Sequence, residues 1–300
     1  MASIVHVTDK DMIEFHRLNG NDSFNFWRAG SKMKFTDFKV GDTLFFLAKG
    51  SERKREKGII GYGKCRQITS CSFNTMWRKF GTLNGYLNKK SCAEAIIKVN
   101  KDKKMPEKMT CILLEEVAFF NSPVYLSEFN AKLSNKLESY TYIDKGNQCL
   151  SEKIIMKAMS FGVDLWTSKL NEEEFKIKLY QDAIRQSCGF IYQKIKLNET
   201  KMLKQLMRKY NEAKTGEFIN GSQADSLEWG KDTIINVPML VNDFNKIQTI
   251  IGHITLFRKM LTDINPEYEK IIFRVLTQNI QPDIETQLTS LNIEYKKLSD

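Results

Sequence analysis

Residues 24–50, FNFWRAGSKMKFTDFKVGDTLFFLAKG, and residues 58–63, GIIGYG, decide how the front half of this 300-residue chain folds. TLFFLAK is a mostly apolar run set between Gly41-Asp42 and Gly50-Ser51, and GIIGYG resumes the apolar pattern after SERKREK, Ser51 to Lys57. Short apolar runs bounded by Gly, Asp and Ser read as strands, with the charged segment as the hairpin tip between them. Phe24, Phe26, Trp27, Phe35, Phe38, Phe45, Phe46 and Tyr62 crowd the region with ring surface. Such a set fits the core of a small β-barrel, and each ring serves packing as well as it serves ligand contact.

Working outward, the length favours two domains. A hydrophobic content of 42% with 27% charged residues is ordinary globular composition. No apolar run approaches the roughly 18 residues that would span a bilayer, and the start, MASIVHVTDKD, lacks a basic-plus-apolar leader pattern. Cys65, Cys71, Cys92, Cys111, Cys149 and Cys188 contain no CxxC pair, and the three histidines are far apart. Neither a disulfide framework nor a zinc site follows, and a reduced cytoplasmic location with no membrane partner is expected.

The net charge of +10 is concentrated. Residues 51–100 hold 11 Lys and Arg (Arg53, Lys54, Arg55, Lys57, Lys64, Arg66, Arg78, Lys79, Lys89, Lys90, Lys98) against three acids (Glu52, Glu56, Glu94), so 11 − 3 = +8 of the excess lies there. A one-sign block beside aromatic residues is what a polyanion-binding surface needs, because neutralising phosphates releases counterions. Arg53, Lys54, Arg55, Lys57, Arg78, Lys79, Lys89 and Lys90 are the candidate backbone contacts.

Further along, Trp77, Phe80 and Tyr86 fall in a helix-to-turn segment closing at Asn84-Gly85, a pair suited to positive φ. Met109 to Phe120 reads as a buried strand, and Ser139 to Gln148 as the closing edge of a first domain over 1–150. Residues 149–170 lack strong periodicity and mark the boundary. Two helical patterns follow, Asn171 to Leu197 and Glu199 to Lys214, the second with Lys201, Lys204, Arg208 and Lys209 available to face nucleic acid. The tail then reads as strand (233–240), amphipathic helix (244–261), strand (270–278), helix (282–291) and a last strand, an α/β sandwich over 168–300.

Phe26-Trp27, Gly41-Asp42 with Phe45-Phe46, Gly61-Tyr62-Gly63, and Trp77, Phe80, Gly81, Asn84 and Gly85 together resemble the PUA-like EVE/ASCH-type domains, closest to those of bacterial restriction-type proteins. The resemblance covers roughly residues 20–145, with Ala29 standing where a proline is usual. It implies a PUA-like β-barrel with helices that reads a modified, flipped base in double-stranded DNA. Trp27, Tyr62, Trp77 and Tyr142 are the candidate pocket walls; extruding a base costs a few kcal/mol, recovered by stacking and edge hydrogen bonds.

The tail, IIGHITLFRKM…EKIIFRVLTQNIQPDIETQLTSLNIEYKKL, resembles the distal half of PD-(D/E)XK restriction-nuclease-like domains. That implies Mg²⁺ on paired carboxylates, activating water for phosphodiester attack. Asp225 falls at the first acid position and is the candidate metal ligand, while Asn236 and Pro238 fall where the second acid and the lysine belong. Asp243 with Lys246 is the candidate replacement pair, with Glu228 or Asp232 as further carboxylates, and His253 replaces the usual glutamine. The combined expectation is a DNA-binding protein of restriction or defence type with a degraded nuclease site, and the pairing of such nuclease-like folds to cut both strands admits a homodimer. Its rivals are an active Mg²⁺-dependent, modification-dependent endonuclease and an RNA-binding PUA-type module.

Overall fold

A computed structural model describes residues 3–29, 35–48, 56–134, 136–144, 146, 148–166, 170–197, 199–212, 216–240 and 244–298, without the side chains of 212 and 244–246. It divides into two compact units, Met1–Ile184 and Arg185–Asp300.

In the first unit six strands form one sheet: β1 (Ile4–Val7), β2 (Phe24–Ala29), β3 (Thr43–Ala48), β4 (Gly58–Cys71), β5 (Met109–Val124) and β6 (Tyr140–Tyr142). Their order is β2-β5-β4-β3-β1-β6, with β1 and β3 parallel and the other neighbours antiparallel. Side chains alternate across a strand, so TLFFLA sends Leu44 and Phe46 to one face and Phe45 and Leu47 to the other. Every residue of β3 is buried because both faces are covered.

Leu44 and Phe46 pack with Ile4, Phe24, Phe26 and Phe119 inside the curl of the sheet. Phe45 and Leu47 pack with Ile154 and Ile155 of α4 (Leu150–Phe161) and Phe175 and Leu179 of α5 (Glu172–Tyr192). The curl brings the two edge strands together: the Arg28 guanidinium of β2 lies 4.9 Å from the Tyr140 ring centre of β6. On β1, His6 meets Phe26 edge-on at 4.8 Å. The front half is therefore a half-barrel, mixed with helices.

Bulges in β4 and β5 allow these long strands to bend. At Gly61 a Cβ would lie 2.4 Å from the Ala118 carbonyl oxygen, so this glycine of GIIGYG permits close strand approach. The expected boundary lies over 149–170; the compact units divide after Ile184, with α4 and the first half of α5 covering the outer face of the sheet. Alpha-helix α1 (Lys10–Leu18) follows β1, while α2 (Phe73–Phe80), a 3-10 turn (Gly81–Asn84) and α3 (Lys89–Val99) lie between β4 and β5.

The second unit contains α6 (Lys201–Glu212), β7 (Glu217–Phe218), β8 (Ser226–Trp229), β9 (Thr233–Met239), α7 (Phe244–Ile264), β10 (Ile272–Thr277), α8 (Pro282–Ser290) and β11 (Glu294–Lys297). The sheet order is β11-β10-β9-β8-β7, antiparallel through β7-β8-β9 and parallel through β9-β10-β11. Phe273 meets Phe257 of α7 on one face, whereas Leu276 packs with Met207 and Tyr210 of α6 on the other. The expected strand and helix order of the tail is present; β7 and β8 precede it as a short meander. None of the described helices is long and apolar enough to cross a membrane.

Candidate nucleic-acid interface

The excursion from Ser72 to Lys108, between β4 and β5, is predominantly cationic. It holds nine cations (Arg78, Lys79, Lys89, Lys90, Lys98, Lys101, Lys103, Lys104, Lys108) against Glu94, Asp102 and Glu107, so 9 − 3 = +6. All nine are exposed. Among the described residues none of the nine forms an ion pair, although the Lys79 Nζ donates to Gln67 Oε1 and the Lys103 Nζ to the Lys98 carbonyl. Leu87, 78% exposed, stands among them.

The signature WRKFGTLNG holds this excursion on the barrel. Ser72 caps α2 by accepting from the Thr75 amide, and Asn88 caps α3 by accepting from that of Ser91. Asn84 is fully buried: its Oδ1 accepts from Asn25 Nδ2 at 2.8 Å, and its Nδ2 donates to the Gly81 carbonyl at 2.8 Å. The Asn84 carbonyl accepts from Trp27 Nε1 at 3.0 Å. Gly85 follows at φ +87° with Met12 so close that a Cβ would meet it at 2.3 Å. These residues fix a helical cap to β2.

The candidate pocket rings therefore part company. Trp27 is buried under Asn84. Tyr62 is wholly buried on the outer face of the sheet, where its hydroxyl donates to Asp182 of α5 at 2.6 Å. Trp77 is half-buried on α2. Tyr142 is half-buried on β6, its hydroxyl accepting from the amides of Asp37 at 3.0 Å and Phe38 at 3.2 Å. Trp27 and Tyr62 are sealed in separate packing clusters, one under Asn84 and the other against Asp182, so the four rings do not line one pocket.

The basic block also separates. Lys64 sits against Asp182 at 2.7 Å and Glu116 at 2.8 Å, binding β4 to α5. Lys57 is half-buried and its Nζ donates to the Leu137 carbonyl. Arg53, Lys54 and Arg55 lie outside the described residues. Arg78, Lys79, Lys89 and Lys90 remain outward-facing cations.

A different polar site stands where the edge strands meet. Arg28 is 5% exposed, with its guanidinium 4.6 Å from the Phe35 ring centre and 4.9 Å from that of Tyr140. Its Nη2 donates to Ser139 Oγ at 3.4 Å. Burial pulls the arginine below its ordinary range, and the cation–π contacts offset part of that cost.

His6 lies beside it, with Nδ1 donating to the Val7 carbonyl at 2.7 Å and Nε2 buried without a partner in the described structure. Desolvation holds its pKa down at about 3, so the imidazole is neutral and Nε2 is an open acceptor. Arg28 pairs with Thr110, two residues beyond Lys108, so this site adjoins the root of the cationic excursion. Arg28 and His6 were not among the expected site residues. The period of two in FNFWRA does place Arg28 on the inner face with Phe24 and Phe26, which was the available signal.

In the second unit Asp225 is buried and hydrogen-bonded to His253 Nε2 of α7 at 3.1 Å. Burial raises its pKa. Asn236 faces the other way: it pairs with Arg274 on the α6 side of the sheet and donates to Glu228, which also accepts from Tyr210 of α6. The expected first and second acid positions thus lie on opposite faces. Asp243 and the side chain of Lys246 lie outside the described residues. Among the described residues no group of three His, Cys, Asp or Glu is arranged to hold a metal. With Asp225 engaged by histidine, and an amide and Pro238 at the other positions, the residues described here do not fit Mg²⁺.

No protein-family model matches the chain, and no curated protein matches it. Among solved structures it is similar to the ASCH protein of Zymomonas mobilis, at 16% identity over 47% of this chain and 87% of that one, with a TM-score of 0.33. A single-residue mutant of the same protein gives 16% identity over 48% of this chain and 91% of that one, again at 0.33.

Proposed function

We propose that the first unit binds nucleic acid, with the Ser72–Lys108 excursion gripping the phosphate backbone and the Arg28 site meeting one base. The observation that carries this reading is the set of nine exposed cations on one excursion, none ion-paired among the described residues. A surface on which nine cations outnumber three acids is costly by self-repulsion and suits a polyanion. Phe35, half-buried, is the ring of that site a base would meet first; Arg28, Tyr140 and His6 Nε2 lie buried beside it, so reading through them requires that ring to move aside. Duplex DNA with a modified base is the ligand that the family resemblance favours, with structured RNA as the competing polyanion. The second unit supplies no catalytic step in this reading.

The test is fluorescence anisotropy with labelled duplex DNA, with and without 5-hydroxymethylcytosine, and with a structured RNA, at two salt concentrations. Lys89→Glu with Lys90→Glu should weaken DNA binding at least tenfold. Their loss should also flatten the log–log salt dependence by about 0.9 for each phosphate contact removed. Unchanged affinity and slope would refute the backbone contact. Equal affinity for modified and unmodified duplex would refute base reading while leaving polyanion binding in place.

A further inference from the structure

We propose that the second unit holds its own contact for a nucleic-acid sugar-phosphate backbone, in a groove between α6 and the carboxyl ends of β9 and β10. The unit as a whole is nearly neutral: residues 185–300 hold 16 Lys and Arg against 14 Asp and Glu, so 16 − 14 = +2. Within it, Lys201 to Tyr210 contains four cations (Lys201, Lys204, Arg208, Lys209) and no acid. Lys204 is spoken for, since it pairs with Glu199 at 3.7 Å. Arg208 and Lys209 are exposed and have no carboxylate partner among the described residues.

These two cations border a groove of about 530 Å³ whose apolar floor includes Leu206 and Leu240, with Met202 at its mouth, 68% exposed, and Gln278 on its far side. Leu240 follows the last residue of β9 and Gln278 follows the last residue of β10. The groove therefore lies at the carboxyl edge of the parallel strands, where open α/β sheets collect their ligands. Helical spacing puts Met202, Gln205, Leu206 and Lys209 on one stripe of α6, so the apolar floor and the cation share one face. On the same side of the sheet the Lys296 Nζ lies 5.7 Å from the Tyr210 ring centre. No carboxylate lines the groove among the described residues. Cations over an open apolar trough suit a chain of phosphates whose sugars rest on the trough floor.

This inference rests on nucleic acid being the partner of the chain, and its test separates the two failures. The 300-residue chain is titrated with the same labelled duplex as wild type, as the Lys89→Glu/Lys90→Glu variant, and as an Arg208→Ala/Lys209→Ala variant. Circular dichroism melting serves as the folding control. The α6 variant should weaken binding several-fold and reduce the salt slope by about 1 to 2, additively with the first-unit variant. An unchanged affinity and slope for the α6 variant, with a weakened first-unit variant, would overturn this inference and leave the proposed function standing. No binding by wild type would overturn both. Displacement of the DNA by polyglutamate as effectively as by unlabelled duplex would assign the groove to acidic protein and overturn the proposal. A variant that changes sedimentation while keeping DNA affinity would mark the groove as a subunit contact, with the same consequence.

Discussion

The indole Nε1 of Trp27 donates to the backbone carbonyl of Asn84 at 3.0 Å, and this one bond joins the two halves of the front-half signature. It turns residues that read as ligand walls into a fastening. Trp27→Phe replaces the buried indole by a smaller ring and strands the Asn84 carbonyl, costing about 1 kcal/mol for the lost hydrogen bond in addition to lost packing. Asn84→Ala removes a buried donor and a buried acceptor, which leaves Asn25 and Gly81 unpaired and costs about 2–3 kcal/mol. Urea unfolding checks both values. DNA affinity of Trp27→Phe, measured well below its melting temperature, should stay within twofold of wild type. A tenfold loss with stability retained would restore Trp27 to the binding site.

The second unit makes a matching claim about Asp225 and His253. Removing the imidazole in His253→Ala leaves a buried carboxylate without its partner, and should destabilise by about 2–3 kcal/mol. Asp225→Asn in the same background removes the stranded charge and should recover part of that loss, a coupling visible in a double-mutant cycle. Because this carboxylate serves the fold, adding Mg²⁺ or EDTA should shift the unfolding midpoint negligibly. A clear Mg²⁺-dependent stabilisation that vanishes in Asp225→Asn would contradict the assignment.

Much of this architecture was legible in the residues. TLFFLA and GIIGYG announce strands by apolar content between turn formers, and the tail alternates elements of strand and helix length. What was hidden depends on partners distant in sequence. Tyr62 looks like an aromatic wall beside two glycines, yet Asp182, 120 residues away, makes it an anchor for α5. Lys64 belongs to a basic block in sequence and to the same buried carboxylate in space. Helix α4 mixes apolar and polar residues without a sharp stripe, because it is buried on several sides: Ser151 and Glu152 are as enclosed as Ile154 and Ile155. Asp225 and Asn236 align with a metal site by spacing alone, and spacing does not say which face of the sheet each one takes.

Acid should weaken the first unit through its histidines. His6 and His16 are buried and neutral, desolvation lowering each pKa from 6.5 to about 3. Between those values the unfolded chain takes up protons that the folded chain refuses, so stability falls as pH drops through that window. The loss is about 1.4 kcal/mol per pH unit for each group, or about 2 kcal/mol each on going from neutral pH to about pH 5. Urea midpoints across this range should fall accordingly. His16→Gln, which keeps an acceptor for Asn21, should halve the pH-dependent drop. A flat profile would mean that at least one imidazole protonates in place.

The Arg28 site makes the sharpest separation between gripping a backbone and reading a base. Arg28→Met keeps an unbranched apolar body between Phe35 and Tyr140 but removes every donor. Backbone contacts set the salt dependence, whereas base contacts set discrimination, so the two observables should respond differently. The variant should retain the wild-type salt slope and lose discrimination between modified and unmodified duplex, by roughly the 1–3 kcal/mol of a good base contact. His6→Gln tests the acceptor on the other side of the site and should reduce discrimination in the same direction, with the salt slope again unchanged. If both variants bind and discriminate like wild type while melting at lower temperature, Arg28 only closes the sheet, and the base must be met elsewhere on the cationic surface. If the slope falls with discrimination intact, Arg28 contacts phosphate, and the division of labour between excursion and barrel edge is wrong.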